Sequence, residues 1–287
     1  MCKMQNRLGR PYGMAMFVVL VCILPIFACS WGDNGVAGDA MLVDEPPPPL
    51  EDPGGIAAGS EENRFDPIEL LRRGRERCAR EVQSYSCVFL RQERLDGKLT
   101  APQSIRVLYR EEPQSVYMIW DRNAVRVKRA LYVRDRLLND KGEELALIEP
   151  AGAVIRLFVS RVRIPIHGEE ARKSGRFAID QFGFLRVLDR ILRDNERFAR
   201  LGGLRWTYDG PGVIDGRRTH KLVRHLPYAG SDGAYPNARL VVHLDRAWLA
   251  PVAIHSFADE HERILLGSYV TTQVRLNPPL ADSSFEF

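Results

Sequence analysis

One amphipathic helix standing between long runs of strand constrains this chain more than any other feature. Over residues 179–198 the apolar side chains Phe184, Leu185, Val187, Leu188, Ile191 and Leu192 recur at helical spacing and cover one broad face. Arg186, Arg190, Arg193 and Arg197 fall on the opposite side, with Asp189 and Glu196 among them. Nearly everything else after residue 84 alternates with the period of a half-buried strand. A sheet built from so many strands must bury one face, and a helix with a wide apolar stripe is a natural cover for it. The fold class this predicts is mainly β with few helices. It is a curled antiparallel sheet, or incomplete β-barrel, of about ten or eleven strands closed by a lid helix. Such a helix either plugs an ordinary core or lids a cavity that accepts an apolar guest, and periodicity leaves both open.

The strand signals run in order along the chain. Tyr85, Cys87 and Phe89 alternate with Ser86, Val88 and Leu90, and Asp96-Gly97 supplies a tight hairpin turn. Ile105, Val107 and Tyr109 share one face of the return strand, followed by Val116, Met118 and Trp120. Further strands are expected over 130–138 and 145–148, joined by a Lys141-Gly142 turn, and over the arginine-studded 153–166. After the helix come 204–209 and 219–226, joined through Asp215-Gly216, then Arg239–Asp245, 252–257 and Leu265–Leu276. The short connections indicate an antiparallel meander in one domain, 67–287, without an internal repeat. If the helix is a lid, Phe184, Leu188, Ile191 and Leu192 close over the concave side. Trp206, Trp120 and Phe89 are then candidates for the lining, with the inward face of each strand undecided by one residue of register.

Ahead of this domain the composition changes twice. Lys3, Arg7 and Arg10 precede an almost unbroken apolar run, residues 14–28, which is too short for a comfortable membrane span and reads as an export signal. The run ends in Ile26-Phe27-Ala28-Cys29, which resembles a bacterial lipobox and implies that Cys29 becomes the lipidated first residue of the mature protein. The alternative is an ordinary signal cleaved near Ala28. Residues 29–66 are rich in Gly, Pro, Ala and acids and read as a tether, stiffened by Pro46–Pro49. A flexible chain of this length spans about 30–35 Å. That suffices to hold a domain clear of a membrane while more than one acyl chain anchors it.

Charge divides along the same boundaries. Residues 1–28 hold three of the 41 basic residues and none of the 37 acids, so the mature chain carries +1. Because 30–66 contains nine acids against Arg64, the globular part has 37 basic and 28 acidic residues, a net +9. A basic body suits an anionic membrane surface, an anionic polymer or an acidic partner. No Lys/Arg cluster interleaves with aromatics as nucleic-acid binding requires, and export argues against that partner.

Asp66-Pro67 supplies an N-cap and a first-turn proline for a helix whose stripe is Ile68, Leu71, Cys78 and Val82. With Cys29 lipidated, Cys78 and Cys87 remain in an oxidising compartment, either as a disulfide pinning helix to sheet or as two buried thiols. Enzyme signatures are weak. His255, His261, Asp259, Glu260 and Glu262 lack the spacing of a zinc helix and read as the solvated tip of a hairpin. No nucleophile elbow, Walker loop or dinucleotide fingerprint occurs, and no cofactor or metal is expected. Arg91, Glu93 and Arg94 on the first strand form a possible polar site at the mouth of the sheet, the residual opening for a hydrolase.

Two groups of residues carry resemblances. The segment Tyr85-Ser-Cys87-Val-Phe-Leu-Arg91-Gln-Glu93-Arg-Leu-Asp-Gly97-Lys, with Ser115-Val-Tyr-Met-Ile-Trp120 and Ala130-Leu-Tyr-Val133, resembles a bacterial secreted family, domain-of-unknown-function family 1571. The closing stretch Arg239-Leu-Val-Val-His-Leu-Asp245, Leu249-Ala-Pro251 and Tyr269-Val-Thr-Thr-Gln-Val-Arg-Leu-Asn277, with Leu280, Asp282 and Phe285, resembles the last strands of the periplasmic lipoprotein carriers and receptors of the Lol system and of related lipoprotein-sensing stress regulators. The resemblance implies an incomplete barrel whose helices close an apolar cavity for acyl chains. It transfers no ligand-contacting residue, because 151–204 does not follow the carrier pattern. The expectation is therefore an exported, lipid-anchored protein of the periplasm or outer membrane that binds lipid or an acylated protein. The competing expectation is a structural or sensory docking protein whose barrel is filled by its own side chains.

Overall fold

The computed structural model describes residues 65–152, 160–230 and 233–287. The export signal, Cys29 and almost all of the tether lie outside them, as does the first half of the expected strand over 153–166. Within them, twelve antiparallel strands form one sheet on which three α-helices pack. It is the curled, unclosed sheet with a covering helix that the strand pattern predicts.

Helix α1 (Pro67–Glu81) starts where the sequence indicates. The Asp66 carboxylate accepts the Ile68 N–H at 2.8 Å, and Pro67 occupies the first turn. Its buried stripe is Leu70, Leu71, Gly74 and Cys78. Gly74 is where helix meets loop, since a Cβ there would stand 2.6 Å from the Leu249 carbonyl oxygen.

Strand β1 (Ser84–Leu95) lies at the centre. Towards one edge run β3 (Gln103–Arg110), β4 (Ser115–Arg122), β5 (Val127–Val133), β6 (Leu145–Pro150) and β7 (Val162–Pro165). Towards the other run β12 (Leu265–Leu276), β11 (Pro251–Phe257), β10 (Arg239–Asp245), β9 (Arg217–His225) and β8 (Arg205–Ile214). The two-residue β2 (Lys98–Leu99) only completes the hairpin on β1. The first and last strands pair with each other, so two meanders become one sheet. Asp96-Gly97 and Asp215-Gly216 make their turns with both residues at positive φ, the two-residue geometry that follows strand twist. Phe285 near the C-terminus is fully buried, with the Arg110 guanidinium 4.8 Å from its ring.

The inward register follows the alternation. Tyr85, Cys87 and Phe89 on β1, Ile105, Val107 and Tyr109 on β3, and Val116, Met118 and Trp120 on β4 are all buried in the main core. The covering helix differs from expectation at its start. Residues Ile179–Gln181 form one 3-10 turn, and α3 begins only at Phe184, running to Leu201. Gly183 separates them at φ 129°, and a Cβ there would lie 2.5 Å from the Tyr109 hydroxyl. Helix cannot continue through a backbone pressed onto that ring. A short helix α2 (Glu169–Ser174) that no periodicity announced precedes it.

Cys78 and Cys87 are both buried and both free, so of the two readings the structure holds the separate thiols and not the expected bridge. Cys78 belongs to the stripe of α1, whereas Cys87 is fixed opposite Val107 in the β1–β3 ladder. Burial pushes Cys78 up to about 12 and raises Cys87 further.

Candidate functional site

The core is not filled uniformly. On the β4–β5–β6 side, Met118 stands opposite Ala130 and Ala130 opposite Ile148, so the floor of the sheet dips between two larger side chains. Ala146 deepens the dip beside Ile164. The chain passing over this trough between β7 and α3 cannot fill it either, being interrupted by Gly175, Ala178 and Gly183. The result is a cavity of about 270 Å³. Phe89, Met118, Trp120 and Ile148 line it from the sheet, and Ile166, Ile179, Phe182, Phe184 and Val187 line it from above. The exposed residues Val125 and Arg126 on one rim and Glu170 and Lys173 on the other mark where it reaches the surface.

A buried polar cluster joins this apolar space along β1. Arg91 donates from Nε and Nη2 to Gln103 Oε1 at 2.9 and 2.6 Å and from Nη2 to the Ser174 carbonyl at 3.4 Å. Trp120 Nε1 donates to the same Gln103 oxygen at 3.3 Å. Arg91 Nη1 lies 3.7 Å from Glu93, which is only 2% exposed and accepts from the Tyr269 hydroxyl and the Arg176 N–H at 2.8 and 3.2 Å. Burial, then the Glu93 carboxylate, raises the Tyr269 phenol and keeps it a donor. This is a rigid, hydrogen-bonded wall. The Tyr269 hydroxyl pairs with the Glu93 carboxylate and keeps its proton, so the wall presents hydrogen-bonding groups to the apolar space beside it.

The sequence-derived candidates separate into two places. Phe89, Trp120 and Phe184 come together in the cavity lining. Leu188 and Ile191 are 0% and 3% exposed in the solid part of the core, with Leu188 facing Gly74 of α1. Leu185 and Leu192 are half-buried against the same core. Trp206 lies elsewhere, its indole N–H donating to Asn195 Oδ1 at 3.2 Å. Of the polar trio on β1, Arg91 and Glu93 face the cavity, while Arg94 donates outward to the Leu265 and Gly97 carbonyls. Arg190, expected on the solvent side of the helix, borders the cavity together with Val187, one helical turn before it. The apolar stripe is wide enough that its edge, Val187 and Arg190, turns onto the trough while its middle packs on α1 and the sheet.

Gln103 and Tyr269 carry no sequence signal of their own. They sit at inward positions of β3 and β12, which alternation identifies only as positions. Of the histidine and acid cluster, His255 stands apart on β11 with its Nδ1 3.0 Å from Ser268 Oγ, and the rest form a hairpin tip where Asp259 accepts the N–H groups of His261, Arg263 and Ile264. Glu260 pairs there with His225 and Glu262 with Arg239.

A family model described as "Protein of unknown function (DUF1571)" matches residues 82–287. No curated protein matches. Solved structures similar to this chain include the Pseudomonas aeruginosa MucA/MucB complex, 14% identical over 77% of this chain and 60% of that one, TM-score 0.44. The Mycobacterium tuberculosis lipoprotein LppX is 16% identical over 75% of this chain and 99% of its own, TM-score 0.38. A putative outer membrane lipoprotein-sorting protein domain from Vibrio parahaemolyticus is 13% identical over 76% and 95%, TM-score 0.35.

Proposed function

The chain belongs to the DUF1571 family, and for this member we propose an envelope lipoprotein that binds a hydrophobic ligand, a lipid or the acyl part of another lipoprotein, in the cavity below residues 164–187. The observation that carries this reading is the apolar trough itself. Protein interiors pack with few voids larger than a water molecule, whereas this one keeps about 270 Å³ open over Met118, Ala130 and Ile148. An apolar cavity of about 150 Å³ already accepts benzene, so the space takes a substantial part of an acyl chain. A large apolar pocket with a few convergent polar groups is also the ordinary form of a small-molecule site.

The rest of the chain fits the same role. In this reading the apolar run before Cys29 exports the protein to the periplasm or outer membrane, Cys29 anchors it, and the tether lets the cavity reach lipid or an acylated partner. The role requires no enzyme and no cofactor. A second reading, a docking protein with a self-filled sheet, draws support from the opposite half of the core. There Leu188, Ile191 and Phe198 leave no such space.

The test is titration of the purified domain with a fluorescent fatty-acyl probe, with mass spectrometry of lipid released on delipidation. Binding is expected, and Ala130→Phe, which fills the trough from its floor, should weaken it at least tenfold while the melting temperature holds. A wild-type protein that binds no probe and releases no lipid refutes the proposal and leaves the docking reading.

A further inference from the structure

The charges around the cavity do not balance. Six charged residues line it: Arg91, Arg126, Lys173 and Arg190 against Glu93 and Glu170. Both carboxylates are committed. Glu93 faces Arg91 at 3.7 Å and also accepts from Tyr269 and Arg176, while Glu170 faces Arg126 at 3.9 Å and Lys173 at 3.2 Å. That leaves Arg190. Its guanidinium stacks 3.8 Å from the centroid of Phe177, and among the described residues no carboxylate or carbonyl accepts from it. The nearby charges include two more arginines, Arg193 and Arg176, and Asp194, the carboxylate that favours its charged form, is not within ion-pair distance. Burial pulls the Arg190 guanidinium below its ordinary value, so its charge is held in this place at a cost.

A cation kept against an apolar ring at the edge of an apolar cavity is a recognition element waiting for an anion. Guanidinium is suited to that part, since its planar fork binds carboxylate or phosphate through two parallel N–H donors. Phe177 supports one face of the fork and leaves its edge free, and Phe177 in turn rests on Tyr269 with ring centroids 5.5 Å apart. Val187, one turn before Arg190 on α3, belongs to the apolar lining, so head and tail of one amphiphile meet adjacent positions of one helix.

We propose that the ligand of this cavity is an anionic amphiphile, its acyl chain in the trough over Ala130 and its carboxylate or phosphate head on Arg190. This rests on the acyl-binding reading above and adds the class of head group. Arg190 is a specificity residue, since it distinguishes an anion from a neutral ester of the same chain length. Arg91 has its Nε and Nη2 donors occupied by Gln103 and shapes the wall beside it.

The experiment compares three probes on the same purified protein by calorimetric titration: dodecanoate, dodecyl phosphate and methyl dodecanoate. Wild type is expected to bind at least one anion tenfold or more tightly than the ester. Preference for the phosphate points to a phospholipid source and preference for the carboxylate to a free fatty acid. In Arg190→Gln the anion should fall to the ester's affinity while the ester itself binds as before, and Arg190→Lys should keep part of the preference. Equal binding of ester and anions by wild type overturns the head-group assignment and leaves acyl binding standing. No binding of any of the three overturns both. The wild-type comparison decides the matter even if Arg190→Gln fails to fold. An anion preference that survives intact in a folded Arg190→Gln removes Arg190 from the assignment.

Discussion

Replacing Leu188 by glutamate separates the part of α3 that is core from the part that borders the cavity. Leu188 is 0% exposed, and its Cδ1 stands 3.6 Å from the position a Cβ on Gly74 would take. Removing a buried leucine side chain costs about 2–5 kcal/mol. A carboxyl placed there escapes ionisation only through a raised pKa, and a rise of about 3 units adds about 4 kcal/mol at neutral pH. The sum, about 6–9 kcal/mol, reaches the whole net stability of many domains, which is about 5–15 kcal/mol. Leu188→Glu should therefore be largely unfolded at pH 7. The unfolded carboxyl ionises at about pH 4.3 and the buried one at higher pH, so stability falls as pH rises through that window and part of it returns near pH 4. Val187→Glu is the control on the same helix. Val187 is half-buried at the cavity, with Arg190 one turn away, so this variant should fold, melt within several degrees of wild type and lose the fatty-acyl probe. Circular dichroism melts at pH 4 and pH 7 beside probe titration read all of this. A Leu188→Glu protein melting within about 5 °C of wild type at pH 7 would refute the reasoning, because the middle of the stripe would then be solvated.

Gly183→Ala should destabilise the domain by at least about 2 kcal/mol, since a positive-φ site and a contact with Tyr109 are both violated; a urea midpoint unchanged from wild type would count against this. Cys78 and Cys87 should resist thiol reagents at pH 8 in the native protein and react once it is unfolded. Because burial raises both thiols, the unfolded chain loses these protons first, and stability should decline from about pH 9 upward. Burial, with His255 nearby, holds His243 down at about 4. The unfolded state therefore binds this proton first as pH falls below about 6.5, and stability drops towards pH 4. His243→Gln should flatten that acid limb in urea midpoints measured across pH.

How far the sequence could be read depended on which physical rule applied to each residue. Strand alternation grouped Tyr85, Cys87 and Phe89 on one face of their strand, and Met118 with Trp120 on one face of theirs, because a pleated strand offers only two faces; which face turns inward was decided by the structure. The Asp-Gly turns were legible for a similar reason, as few residues accept positive φ at both central positions. Helix α2 was illegible because Glu169–Ser174 buries no residue and carries no stripe. The late start of α3 depends on Gly183 meeting Tyr109, a contact across 74 positions of sequence that no local pattern encodes. The cavity was legible as an idea and misplaced in detail. A stripe shows which side of a helix is apolar, but only the neighbours decide whether that side meets atoms or space. Leu188 meets α1; Val187 borders the cavity over the dip made by Ala130, a small residue whose inward position no local pattern marked.

The residues that disobey the local rules gather in one place. Inward strand positions should be apolar, yet Arg91, Glu93 and Gln103 hold three of them side by side on β1 and β3. Arginines on an amphipathic helix should face water, yet Arg190 turns to the cavity. Core positions should fill their space, yet Ala130 and Ala146 leave it open beneath Gly175 and Gly183. Each departure costs stability singly, through desolvated charge or lost dispersion contact. Elsewhere in the sheet the inward face of β3 and β4 is packed with Ile105, Val107 and Val116, so the chain has the means to build a solid core. Local violations that coincide around one hollow are the expected mark of a site, since natural sequences break their own patterning chiefly where function asks for it. The same coincidence argues against the self-filled sheet. A docking surface would need neither the empty trough nor an arginine set at its edge.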